Sequence, residues 1–206
     1  MMNTAQIQPQ ENVFKRVLLL YGLYSILNFF SFLLGYHFLP EGFMRGSPYS
    51  AIGSFVATAS SFWSEFSLTL LFNLGTVIVV CILTNLHQFR RIPVGYIVPV
   101  VLGIVSGLVS GTNSFAASDL KQFNAWDGMA LGMGIGGIEM LAYVLVISAT
   151  ANVGLYNYES LKQWQGEKLK NLRDIKLSIS EMFCLGLEIF MIVFAAYRET
   201  VMAFIQ

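Results

Sequence analysis

In the run GMALGMGIGGIEMLAYVL, residues 128–145, one carboxylate, Glu139, stands among apolar residues and five glycines. A carboxylate in that setting can bind a proton or a cation, or it can hold a neighbouring donor. An ionisable group inside lipid is costly enough to be read first as functional. Four other residues have the same character: Asn73 in FNLGTV, Glu188 in CLGLEIFM, and the adjacent pair Arg198 and Glu199 in AAYRETV. Adjacent positions on a helix point apart, so Arg198 and Glu199 each need a separate partner. A bridge from Arg198 to Glu139 is one geometric option. Two readings of Glu139 stay open: a proton- or cation-binding group, or a hydrogen-bonded residue, for example to Asn73, that fixes helix packing.

Other chemistry is absent from the sequence. His37 and His87 are the two histidines, and neither sits in H-E-x-x-H; no G-x-x-x-x-G-K-[ST] loop occurs. Cys81 and Cys184 fall inside apolar runs, where cysteine behaves as a small hydrophobe. No metal site, cofactor, catalytic set or nucleic-acid partner is expected. The GMGIGG run lacks the preceding strand that a dinucleotide loop requires.

The glycines have a packing role to fill. Gly128, Gly132 and Gly136 are four apart and share a helix face, as do Gly103, Gly107 and Gly111. Small residues at this spacing let backbones approach within lipid. The two rows predict close crossing of the helices that carry them, with an exposed row admitting a homo-oligomer.

These residues must be positioned by membrane-spanning helices. The chain is 55% hydrophobic and 12% charged over 206 residues, with mean hydropathy +0.63, whereas soluble domains carry about 25% charged residues. Apolar runs of about 20 residues predict an all-α polytopic bundle of five spans, at about 17–39, 65–85, 94–112, 129–156 and 181–203. Residues 1–12 read as a flexible polar tail and 13–206 as one transmembrane domain. Asp127 is the expected N-cap of the fourth span, and SISE before the fifth is a capping-box pattern. Tyr21, Tyr24, Tyr36, Tyr96 and Tyr156 read as an interfacial belt.

Alternate connecting segments hold Lys15, Arg16, Arg90, Arg91, Lys162, Lys168, Lys170, Arg173 and Lys176, against Arg45, Lys121 and Arg198 on the other side. That bias predicts a cytoplasmic N-terminus and an external C-terminus. Apolar residues Ile52, Phe55, Val56, Ala59 and Trp63 predict an external amphipathic helix over 50–63. Residues 159–177 place Leu161, Trp164, Leu169, Leu172 and Ile175 among Lys162, Lys168, Lys170, Arg173 and Lys176. This predicts a cytoplasmic basic amphipathic helix for anionic lipid or for a cytosolic partner.

Four stretches also carry a resemblance: FWSEFSLTLLFNLGTVIVV with Phe72-Asn73, IPVGYIVPVVLGIVSGLVSG, GIGGIEMLAYVLVISATANVGL with Glu139, and AAYRETVMAF with Glu199. Over about 60–206 the chain resembles the stage II sporulation protein M family of bacterial and archaeal integral membrane proteins. It departs where Ile135 and Gly136 replace a proline–histidine pair frequent in that family. The resemblance implies a multipass cell-membrane subunit of a larger assembly. The expectation is therefore a non-enzymatic membrane scaffold or complex subunit. Its alternative is a permease-like component of a transport or peptide-export system beside a cytosolic ATPase, with Glu139 as the proton- or cation-binding group.

Overall fold

The computed structural model describes residues 12–115, 124–160 and 162–205. The polar tail expected over 1–12 therefore lies almost wholly outside the described residues, as do Lys121 and Leu161. Five helices are long and apolar enough to cross a membrane. Span one is Val13–Phe38, span two Phe62–Asn85 and span three Val94–Gly111. Span four is Ala125–Thr150 and span five Ile179–Ile205. Span four ends earlier than the expected 156 because the chain turns there into a 3-10 turn, Ala151–Val153. Its N-cap is Asn124, whose side chain accepts the Asp127 N–H; Asp127 is one turn inside and not the cap. The SISE capping box does form: Ser178 N–H donates to Glu181 Oε2 (2.8 Å) and Glu181 N–H to Ser178 Oγ (3.3 Å).

Span four is the centre of the bundle. In its apolar window 72% of residues are buried, against 22–44% in the other spans. Met140, Ala142, Tyr143, Val144, Val146 and Ile147 pack on Tyr24, Val77, Cys81, Val98 and Ile192 from the spans around it. Tyr24 is therefore a core residue, 1% exposed, and not part of an interfacial belt.

The glycine rows do not meet each other. Gly103, Gly107 and Gly111 lie against span one, where an added Cβ would press on the carbonyls of Tyr24, Asn28 and Phe32. Four-residue rows thus match on both helices, and Asn28 Nδ2 donates to Ser106 Oγ across the contact (2.7 Å). A stripe of small residues announces that a backbone approaches; it does not say whose. The glycines of span four each serve a different neighbour: Gly132 meets Ser110 of span three, Gly134 the Arg198 guanidinium, and Gly136 and Gly137 the hydroxyls of Tyr24 and Tyr21.

Span two contains a π-helical segment, Thr76–Ile82. Its sequence TVIVVCI is rich in β-branched residues, which crowd the preceding helical turn. Flanking hydroxyls cover displaced carbonyls: Thr76 Oγ1 donates to Phe72 O (3.0 Å) and Thr84 Oγ1 to Val80 O and Cys81 O.

The bundle is capped at one end by four short strands, an addition to the expected all-α class. β1 (His87–Phe89) and β2 (Ile92–Pro93) follow span two; β3 (Tyr156–Tyr158) and β4 (Glu167–Lys168) follow span four. Their order is β2-β1-β3-β4, with β1 and β3 parallel. The helix expected over 159–177 is not formed. β4 and a 3-10 turn, Leu172–Asp174, occupy that stretch. The step from Trp164 to Leu169 is out of helical phase, and Gly166 packs beneath the Tyr158 ring. At the other end the amphipathic helix is Pro48–Val56, shorter than expected, because turns intervene before Trp63 joins span two.

Candidate functional site

Glu139 is half-buried on span four, 11 residues before Thr150, or about 17 Å at the helical rise. Tyr143, one turn on, hydrogen-bonds to Glu139 Oε1 and donates to Asn73 Oδ1 of span two (3.2 Å). The structure thus joins Glu139 and Asn73 through a phenol that sequence reasoning passed over. The signal was present, since positions four apart share a helix face.

Tyr143 has one hydroxyl hydrogen and two acceptors beside it. A phenol donates once and accepts further, so the geometry closes in two ways. With a proton on Glu139, the carboxylic acid donates to Tyr143, which donates to Asn73 Oδ1. Without it, Tyr143 donates to the carboxylate and the Asn73 amide turns to donate to Tyr143. Among the described residues Asn73 Nδ2 is buried without a hydrogen-bond partner.

Further acids lie along the same interior. Glu199 is within electrostatic reach of Glu139 and Glu65. Glu65, which sequence reasoning missed, is 7% exposed. Glu188 is 4% exposed, near Cys81, and its Oε1 lacks a hydrogen-bond partner among the described residues. Glu188 is thus enclosed within the bundle. By helical rise Glu188 lies about 14 Å and Glu199 about 30 Å from the sheet end of span five. With Glu139 at about 17 Å from the same end, the acids are spread over about 16 Å of the bundle's length. Arg198 forms no ion pair with Glu139 among the described residues; its guanidinium lies over Gly134 instead. A missing side chain one turn from the expected partner makes the space that Arg198 fills.

The sheet end carries a second polar group. Arg16, 6% exposed, pairs with Glu181 (3.2 Å) and donates to Asn152 Oδ1 (3.0 Å), while Asn152 Nδ2 donates to Glu181 (2.9 Å). This network ties together the start of span one, the end of span four and the start of span five. Arg16, counted among solvated cations in the sequence, is a buried structural residue. Of the other basic residues expected at a docking face, Lys162, Lys168, Arg173 and Lys176 are exposed, and Trp164 is 97% exposed. Lys170 is half-buried and donates to Asn152 O.

Among the described residues no cluster of histidine, cysteine or carboxylate side chains could hold a metal ion. No family model, curated protein or solved structure matches the chain. The resemblance drawn above therefore stands on its quoted motifs alone.

Proposed function

We propose that the chain is a permease-like multipass subunit of a membrane complex in which Glu139 takes up and releases a proton. The observation that carries this reading is the Tyr143 hydroxyl placed between Glu139 and Asn73; a phenol has one hydrogen to donate, so the site has two hydrogen-bonding states that differ by one proton. Uptake puts the proton on the Glu139 carboxyl and directs the phenol toward Asn73. Release returns the phenol to the carboxylate and turns the amide. Glu65 and Glu199 on one side and Glu188 on the other supply the next groups along the interior. Metal coordination by these acids gains no support from their spacing. On the basic asymmetry of the connecting segments, the sheet end faces the cytoplasm of a cell membrane, and the C-terminus lies outside.

The test is Glu139→Gln, which keeps shape and removes the titratable group. Under this reading it abolishes proton-coupled flux while the variant still reaches the membrane and assembles. A variant that assembles and remains fully active would return the protein to the scaffold reading.

A further inference from the structure

Beside the β3–β4 hairpin and the 3-10 turn Leu172–Asp174 lies a cleft of about 520 Å³, lined among others by Lys168, Lys170, Asn171, Leu172, Arg173 and Asp174. Three cations face one acid. That acid is engaged: Asp174 accepts from the Asn171 backbone N–H and from its Nδ2 (both 3.1 Å), and the backbone bond first, then the side-chain bond, hold its carboxyl below the ordinary carboxylate range. Lys168 and Arg173 are exposed and form no ion pair among the described residues; Lys168 acts on Asp174 only through its field.

The depth of the cleft identifies its surroundings. Lys170 is bonded to the carbonyl of Asn152, at the end of span four, and span five begins five residues after Asp174. The cleft therefore opens at the level where the spans leave the hydrocarbon, among headgroups. Apolar side chains stand exposed at this end of the bundle: Leu172 of the cleft at 67%, Ile179 at the start of span five at 84%, and Trp164 of a neighbouring pocket that shares Tyr156 at 97%. Cations interleaved with bare apolar and aromatic residues at the membrane boundary match an interfacial lipid contact, and basic pockets at the ends of spans suit anionic headgroups. We propose that this cleft binds the phosphate of an anionic phospholipid, with Lys168, Lys170 and Arg173 on the headgroup and Leu172 against the first carbons of its chains. This site is independent of the proton-binding reading of Glu139.

The test uses the full chain in mild detergent, titrated separately with phosphatidylglycerol, phosphatidylcholine and inorganic phosphate, and read by native mass spectrometry and thermal stability. Phosphatidylglycerol is expected to bind and stabilise; phosphatidylcholine and inorganic phosphate at matched concentration are not. Lys168→Ala with Arg173→Ala should weaken phosphatidylglycerol binding about thirtyfold, at roughly fivefold per basic residue. Arg45→Ala, exposed at the other end of the bundle and outside the cleft, should leave it unchanged. Equal binding of the two lipids, or an equal loss in Arg45→Ala, would overturn the proposal. Inorganic phosphate binding as well as the lipid would make this a soluble-anion site and overturn it too. So would a double variant that keeps its lipid but sheds a co-purifying protein, since the cleft would then be a protein-docking surface.

Discussion

Tyr143 holds two polar groups that are otherwise poorly served inside the bundle. Its removal leaves the Glu139 carboxyl and the Asn73 amide facing each other across an empty hydroxyl position. Tyr143→Phe is expected to slow proton transfer by about 100-fold, the scale of one positioned proton-transfer group, and to lower stability by about 1–3 kcal/mol because a buried polar atom loses its partner. Flux in reconstituted vesicles and melting in detergent measure the two effects separately. Asn73→Leu should reproduce the stability loss and part of the rate loss. A different residue carries structural weight alone: Arg16→Leu leaves the buried Glu181 without its counter-charge, though still bonded to Asn152 and Ser178, and is expected to cost about 3 kcal/mol without touching Glu139. The carboxylates themselves were legible in sequence, because any acid in an apolar run stands out. Their partners were not, because Tyr143 and Tyr24 look like ordinary apolar-run aromatics until the fold shows what their hydroxyls reach.

Elements show a similar division. The positions of the five spans follow from hydropathy and caps, and the structure places them within a few residues of those boundaries. Which helices touch depends on complementarity between faces, and the third span chose the first. Gly107→Val is expected to break that contact, since its Cβ would strike Asn28 O and lie 2.8 Å from Ser31 Cβ; overpacking of this kind costs about 1–3 kcal/mol or more. Gly22→Ala, with open space around it, should be neutral or slightly stabilising in the same melting assay. The sheet was illegible for another reason: strands of two or three residues carry no usable alternation, and they form because main chain leaving spans two and four finds a partner at the membrane surface. Their tight turn is strained, with Arg90 and Arg91 both at positive φ (49° and 68°). Asn157 fixes it by accepting the Arg91 N–H at 2.8 Å. Arg91→Gly should relieve about 1 kcal/mol of that strain, read as a higher melting temperature.

At the scale of the molecule, one central span is wrapped by four others, with a basic four-stranded cap at one end and a short amphipathic helix at the other. The arrangement puts the acids of spans two, four and five on a common interior, spaced along the bundle from Glu188 to Glu199. The proposed sidedness rests on the basic residues, which gather at the cap. Cys81 and Cys184 are fully buried, so the chain is a silent background for labelling. Lys168→Cys is expected to react with an impermeant thiol reagent from the cytoplasmic side only, and Arg45→Cys from the outside only. The central claim is that Glu139 exchanges a proton with Tyr143 as its hydrogen-bond partner. Infrared difference spectroscopy of the purified protein between acid and alkaline buffer tests it without any partner or substrate. The expected result is a carboxylic-acid stretch that disappears at alkaline pH in the wild type, is missing in Glu139→Gln, and shifts in frequency in Tyr143→Phe. An identical difference spectrum in wild type and Glu139→Gln would contradict the claim.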